Sequence, residues 1–238
     1  DSFVAAHPED TLALSAAGSY YFTTGRSSKG TGLIRKASEL CPESASLAYR
    51  HISTLLYSGE WKEAHERASA AWQKFPDILE FAEMDNVACL QEEEYGTIVD
   101  NCRKMTAMHP KDTSVTIPAL SMMGDAQYQG GDPKAAFKTY RKALKLNPGY
   151  CPVLNNYAYF LSEEGKSLGK ALKMSRKTIG WILHLLGRDE EAKPLFKHAM
   201  LYGGKDSATV MEHYADVLDA LGESDLARAY RNSAALKK

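Results

Sequence analysis

The sequence predicts an all-α fold, a solenoid of stacked antiparallel helix hairpins. Three observations lead to this prediction: small residues recur with a period of about 34 residues, a glycine precedes them, and several periods end in a proline. Self-similarity at this period is typical of helical repeat arrays. The 238 residues are enough for a single array, and we therefore treat 1–238 as one domain.

The repeat unit is clearest in the segment SGEWKEAHERASAAWQKFP, where Gly59, Ala64, Ala71 and Pro76 are separated by five, seven and five residues. The same spacing recurs, completely or in part, at Gly25, Gly30, Ala37 and Pro42; at Ile98, Met105 and Pro110; at Gly131, Ala136, Ala143 and Pro148; at Gly187, Ala192 and Ala199; and at Gly222, Ala227 and Ala234. Composition alone does not produce spacings this regular, so the unit is a structural repeat.

Each position of the unit has a mechanical role. Small residues seven apart lie on one face of a helix, where they let a neighbouring helix approach closely. The glycine ends the preceding helix in a left-handed conformation, and the proline prevents the second helix from continuing. Upstream of the glycine, apolar residues follow helical steps, as at Leu154, Tyr157, Ala158 and Leu161. One period therefore predicts a helix, a glycine turn, a second helix and a proline stop.

This pattern resembles the tetratricopeptide repeat family, in its bacterial type, over nearly the whole chain. The resemblance implies a right-handed superhelix whose first helices line the concave side. The predicted repeats are 11–44, 45–78, 79–112, 117–150, 151–179, 180–207 and 208–238, with 113–116 as an insertion.

The repeat at 180–207 looks truncated. Ala171 and Ala192, which hold equivalent positions in successive repeats, are only 21 residues apart, so roughly 13 residues of the family period are missing. One explanation is that these residues were deleted. The explanation we favour is that a segment between Ile179 and Gly180 is absent from this sequence, because the loss of a helical turn would weaken solenoid packing. Gly180 and Trp181 then belong to a shortened first helix.

The resemblance also implies a peptide-binding groove formed by first-helix residues that point away from the paired second helix. The groove residues predicted on this basis are Tyr49, Tyr57, Glu83, Asp125, Tyr128, Asn155, Tyr159, Trp181, His184, Glu212 and Asp216. The wider inner set adds Ser15, Ser19, Phe22, Ser53, Glu80, Glu163 and Asp219.

No Lys or Arg falls on this inner set, although the chain has 29 of them. The groove is therefore expected to be acidic and aromatic, and to bind a protein or peptide that is neutral to basic. The alternative is that these charges form an ordinary solvated face and the aromatic rings pack between helices. Without inward basic residues, neither a C-terminal carboxylate nor nucleic acid is an expected ligand. The net charge of -1 also argues against nucleic acid, because proteins that bind phosphates usually have a basic excess.

No motif predicts catalysis, a cofactor or a metal. The seven histidines show neither HExxH nor HxH spacing, and the four cysteines show no CxxC pair. We interpret the cysteines as small buried apolar residues, with a disulfide between Cys89 and Cys102 as an open alternative. The segment "GTG" at 30–32 lacks the phosphate-loop frame, and "EEE" at 92–94 is typical of a solvated surface.

The sequence therefore predicts a non-catalytic protein-interaction scaffold. The alternative is a docking or regulatory arm of a larger protein with an enzymatic part elsewhere, since the chain begins without Met or a signal peptide and is expected to be a fragment. No apolar stretch is long enough for a membrane span. The terminal repeats are expected to allow self-association. The bacterial resemblance favours the cell envelope or periplasm over the cytoplasm.

Overall fold

A computed structural model describes residues 4, 6–165, 168–201 and 204–237. The chain divides into two compact units, residues 1–105 and 106–238. The predicted fold class, an all-α solenoid of helix hairpins, is confirmed: the described residues form thirteen α-helices and one short 3-10 helix, and no strand. Residues 166–167 and 202–203, which belong to the predicted repeats 151–179 and 180–207, lie outside the described residues.

The first unit is built from consecutive helices that pack against their neighbours in sequence. They are α1 (Thr11–Thr23), α2 (Ser27–Leu40), α3 (Ala45–Ser58), α4 (Trp61–Lys74), α5 (Glu80–Gln91) and α6 (Tyr95–Met108), most of which belongs to this unit. The predicted small residues are buried: Ala37 and Ala64 are fully enclosed, and Ala71 is nearly so.

The second unit continues the hairpin pattern. Its helices are α7 (Thr113–Gln129), α8 (Pro133–Leu146), α9 (Cys151–Glu163), α10 (Leu168–Leu185), α11 (Asp189–Leu201), α12 (Ala208–Ala220) and α13 (Ser224–Ala235), with the 3-10 helix Gly204–Asp206 before α12. One of its core clusters joins α11, α12 and α13 around Phe196, Met211 and Tyr214, and Trp181 of α10 packs against it.

Local chemistry sets the helix boundaries. Asp10 and Asp132 cap α1 and α8 by accepting hydrogen bonds from backbone amides of the first turn, at 3.0 and 2.9 Å. Gly59 ends α3 with a φ of 74°, in the left-handed region that favours glycine. The helices α2, α4, α6 and α8 each end two residues before a proline, as the proline-stop prediction requires.

One helix runs through the predicted boundary at 179/180. The helix α10 extends without a break from Leu168 to Leu185, so the short second helix of one predicted repeat and the shortened first helix of the next are a single 18-residue helix. Gly180 is buried in it, and a Cβ there would come within 3.1 Å of the Phe196 ring. A small residue at this position therefore lets α10 and α11 approach closely.

Candidate functional site

A concavity of about 360 Å³ lies between α1 and α3 in the first unit. It is lined by Ser19, Phe22, Thr23, Ile34, Tyr49, Arg50, Ser53, Thr54 and Tyr57. The rings of Phe22 and Tyr57 meet edge to face, with centroids 5.1 Å apart. Tyr57 is 80% exposed and Tyr49 is 45% exposed, so both leave ring area available to a ligand.

The helical period explains how the pocket forms. Tyr49, Ser53 and Tyr57 are four residues apart along α3, so they lie on one face of that helix. Phe22 comes from the last turn of α1, on the opposite wall. A second concavity of about 290 Å³ begins at Tyr49 and is lined also by Ile78, Glu80 and Phe81.

The prediction that no basic side chain lies on the inner surface is wrong at Arg50. Its guanidinium lines the pocket and donates a hydrogen bond to Ser19 Oγ at 3.1 Å. Assigning each helix residue to one face placed Arg50 outside the set, but an arginine stem is long enough to bring its charge round to the neighbouring face. Glu83 is exposed on α5 and is not among the residues that line either concavity.

In the second unit, Asp125 belongs to a buried hydrogen-bond network. It accepts a hydrogen bond from the Tyr140 hydroxyl, and Asn156 Nδ2 donates to both of its oxygens, at 3.0 and 3.1 Å. Burial raises the pKa of Asp125, and these two donors oppose the rise. The carboxyl group is therefore committed to holding α7, α8 and α9 together.

Two predicted aromatic residues of the second unit differ in exposure. Tyr128 stacks on Phe160 with ring centroids 3.8 Å apart and is half-buried. Tyr159 is 57% exposed on α9, four residues after the exposed Asn155. Tyr159 and Asn155 are thus available to solvent, whereas one face of Tyr128 is covered.

Trp181 and His184 lie together on α10, and the structure adds His213 to them. The Trp181 ring stacks on His213 at 3.7 Å and lies 5.1 Å from the His184 ring. His184 Nδ1 and Asp189 Oδ1 are 2.5 Å apart. Burial lowers the pKa of His213, although Asp216 and Glu212 act in the opposite direction. No sequence pattern marks His213, because its stacking on Trp181 depends on α12 packing against α10.

The acidic residues of α12 are largely paired within the protein. Arg231 of α13 donates to Asp216 Oδ1 at 2.8 Å and also to Asp219. Arg231 therefore neutralises much of the negative charge that the sequence assigned to this part of the groove. Glu212 is half-buried on the same helix.

Metal-type ligands converge at one place in the described part of the chain. His65 Nδ1, Asp85 Oδ1 and Cys89 Sγ all lie within 4.8 Å of one another. The metal motifs considered in the sequence were paired cysteines and histidines. The pattern that marks this cluster is different: a carboxylate and a cysteine four residues apart on one helix. All four cysteines are free thiols, so the structure contains no disulfide between Cys89 and Cys102.

No helix within the described residues combines the length and the apolar character that crossing a bilayer requires. The longest, α10, has 18 residues and includes four basic side chains, at Lys170, Lys173, Arg176 and Lys177.

Comparisons with known proteins agree with the repeat pattern. A family model described as tetratricopeptide repeat matches residues 44–238. The human protein named Protein O-mannosyl-transferase TMTC1 is 24% identical over 153 residues, and the match covers 64% of this chain but only 17% of that protein.

Two solved structures show the same fold at low identity. MamA (residues 41 to the end) from Desulfovibrio magneticus RS-1 aligns with a TM-score of 0.58 and 12% identity, covering 71% of this chain and 93% of MamA. YrrB, described as a TPR protein with an unusual peptide-binding site, aligns with a TM-score of 0.54 and 16% identity, covering 75% of this chain and 89% of YrrB. Because the family model spans most of the sequence and the helix hairpins follow its period, this chain belongs to the tetratricopeptide repeat family.

Proposed function

We propose that the chain is a non-catalytic scaffold that binds a polypeptide segment at the pocket between α1 and α3. Tetratricopeptide repeats in general serve protein–protein interaction. The observation that carries the specific proposal is the exposed Tyr57 ring against the half-buried Phe22, next to Tyr49, around a concavity of about 360 Å³. Aromatic side chains grouped around a concavity are typical of binding sites, whereas isolated exposed apolar residues are not.

The chemistry of the pocket favours an apolar or aromatic anchor side chain on the ligand. Tyrosine and phenylalanine rings offer large contact area and lose little rotamer entropy on binding. Tyr49 lines both the pocket and the second concavity, where Ile78 is partly exposed, and an extended segment with one anchor side chain for each concavity is therefore the proposed ligand.

Charge makes a smaller contribution to the proposal. Arg50 brings one positive charge to the pocket, while Glu80 brings a negative charge to the second concavity. The expectation of a neutral to basic partner stays a prediction, and so does the wider acidic groove, since Asp216 and Asp219 are already paired with Arg231.

Replacing Tyr57 with alanine tests the proposal directly. Random peptides displayed on phage are selected on the full chain, and a selected peptide is then synthesised with a fluorescent label. Tyr57→Ala should weaken its binding by about 2 kcal/mol, roughly thirtyfold in Kd, because the anchor side chain of the peptide loses the contact area of the Tyr57 ring. Fluorescence anisotropy gives the Kd.

Tyr20→Ala is the matched control. Tyr20 is a tyrosine of the same unit, 64% exposed on α1, and it does not line the pocket. The control should bind the peptide as the wild type does. Selected peptides that bind wild type, Tyr57→Ala and Tyr49→Ala equally would refute the pocket as the binding site.

A second candidate role is that of an interaction arm within a longer polypeptide. It is favoured by the match to TMTC1, in which a segment like this chain makes up 17% of a protein named as a mannosyltransferase. In this role the chain itself remains non-catalytic and any reaction belongs to other segments. The full open reading frame distinguishes the two, since a free-standing scaffold predicts repeats and no enzymatic domain.

A further inference from the structure

A cluster of three potential metal ligands lies between α4 and α5, apart from the aromatic pocket. His65 Nδ1 and Asp85 Oδ1 are 2.5 Å apart, and Cys89 Sγ is 3.2 Å from the same nitrogen and 3.6 Å from the same oxygen. Three donor atoms of different elements thus point at one small volume. A hydrogen bond between His65 and Asp85 alone would not require the sulfur there.

The repeat architecture explains how these side chains meet. Asp85 and Cys89 are four residues apart on α5 and therefore occupy one face of that helix. His65 follows Ala64, a fully buried small residue that lets α4 pack closely against its neighbours. The Asp85 and Cys89 side chains are almost completely buried, whereas the His65 side chain is 35% exposed. The cluster is consequently open to solvent on the His65 side.

Asp85 is a buried carboxylate that needs a positive charge. Its side chain is 1% exposed, and within the described residues no lysine or arginine pairs with it. Burying a carboxylate without compensation is costly, so a cation or a protonated imidazole beside Asp85 would stabilise it. Asn101 Nδ2 donates to Asp85 Oδ2 at 2.8 Å, which fixes the carboxylate and leaves Oδ1 directed at the cluster.

We propose that His65, Asp85 and Cys89 bind a zinc ion through Nδ1, Oδ1 and Sγ. A mixture of nitrogen, oxygen and sulfur ligands favours zinc over calcium or magnesium, which prefer oxygen alone. Three protein ligands leave a fourth position on the solvent side, where water or a small anionic ligand would complete a tetrahedron.

The spacing of the ligand atoms suits this assignment. Ordinary zinc bond lengths place nitrogen and oxygen about 3.4 Å apart and sulfur about 3.6 Å from either in a tetrahedral site. The distance of 3.6 Å between Cys89 and Asp85 already fits, and the distance of 3.2 Å between Cys89 and His65 is slightly short. The contact of 2.5 Å between His65 and Asp85 has to widen by about 1 Å and the contact between His65 and Cys89 by about 0.4 Å, and rotation of the partly exposed imidazole would lengthen both.

Zinc binding displaces the protons on the ligand atoms. The Cys89 thiol loses its proton to solvent and forms the zinc–sulfur bond. A protonated His65 likewise loses the proton on Nδ1 to solvent, keeps the one on Nε2 and gives the Nδ1 lone pair to the metal.

Cobalt(II) substitution tests the site on the reduced, metal-free full chain. One equivalent of Co²⁺ should produce a thiolate-to-cobalt charge-transfer band in the near ultraviolet, and Zn²⁺ should abolish it by displacement. Cys89→Ser should lose the band, while Cys41→Ser and Cys151→Ser, which change half-buried cysteines elsewhere, should keep it. Asn101→Ala should retain the band but weaken Co²⁺ binding about 10- to 100-fold, because the carboxylate is no longer oriented.

Several outcomes would overturn the proposal. Absence of the band in the wild-type chain would leave a protonated His65 as the partner of Asp85, and persistence of the band in Cys89→Ser would place the metal elsewhere. Circular dichroism checks that each variant is folded. Should Cys89→Ser unfold, His65→Ala replaces it, since His65 is partly exposed: loss of saturable Co²⁺ binding supports the site, and unchanged affinity refutes it.

Discussion

At the scale of single residues, His51 is a buried histidine whose surroundings disfavour the charged imidazolium. It is 2% exposed on α3, and its Nε2 atom is buried without a hydrogen-bond partner among the described residues. Burial, reinforced by Arg67 and then Arg35, lowers its pKa to about 4, although Glu63 and Glu39 act against them. The folded protein therefore holds His51 as the neutral imidazole.

This predicts an acid-dependent loss of stability. A histidine whose folded pKa is lowered binds more protons when unfolded, so the free energy of unfolding should fall as the pH drops below 6.5 and level off near 4. His51→Leu should remove roughly 2 to 3 kcal/mol of this loss when urea unfolding is compared at neutral pH and at about pH 4.5. His7→Gln, which changes an exposed histidine, is the control. An identical acid dependence in wild type and His51→Leu would contradict the assignment.

Two carboxylates of the candidate groove are already paired within the protein. Asp125 is held by Tyr140 and Asn156, and Asp216 is held by Arg231, so neither carboxylate is free to select a basic partner. Tyr49 and Tyr57 remain open. The exposed aromatic residues are therefore the stronger part of the predicted groove.

At the scale of the helices, close approach between neighbours depends on small residues at particular positions. Gly30 of α2 lies against α1, where a Cβ would come within 2.6 Å of the Phe22 nitrogen and 2.7 Å of the Gly18 oxygen. Gly32, two residues further along α2 and exposed, has nothing within 4 Å of its Cβ position. The two glycines thus have opposite structural roles within one helix.

Alanine substitution should separate these roles. Gly30→Ala should lower the free energy of unfolding by about 1 to 3 kcal/mol, because backbone atoms of α1 cannot move aside without separating the helices. Gly32→Ala should raise it by up to about 1 kcal/mol, because alanine is the better helix former and meets no obstacle. Chemical denaturation followed by circular dichroism measures both changes, and equal effects of the two substitutions would contradict the packing described.

At the scale of the whole molecule, each of the two compact units is a run of helices that contact mainly their neighbours in sequence. Stability in such arrays is a sum of local terms, so damage is expected to remain local. Self-association through the terminal hairpins stays a prediction; Leu12 near one end and Leu236 near the other are 79% and 89% exposed.

Hydrogen exchange can measure this locality. In Gly30→Ala, backbone amides of α1, α2 and α3 should exchange faster, while those of α12 and α13 should keep the wild-type rate, because the second unit has its own core around Phe196 and Tyr214. Mass spectrometry of peptic fragments resolves the helices. A uniform acceleration along the chain would indicate one cooperative unit instead.

The sequence by itself determined the helix hairpins, because their signals are local. These signals are Gly59, the prolines after α2, α4, α6 and α8, and alanines seven residues apart. They act through backbone geometry and side-chain size, which a linear pattern reveals. Tyr49 and Tyr57 could also be predicted, since they share one face of a single helix.

Only the tertiary structure decided which side chains meet across helices. Four contacts join different helices or faces: Trp181 stacks on His213, Arg231 pairs with Asp216, the guanidinium of Arg50 lies in the pocket, and His65 meets Asp85 and Cys89. Helical periodicity fixes the face on which a residue lies, but the packing of neighbouring helices sets what that face touches, and burial then decides whether a charge is free or paired.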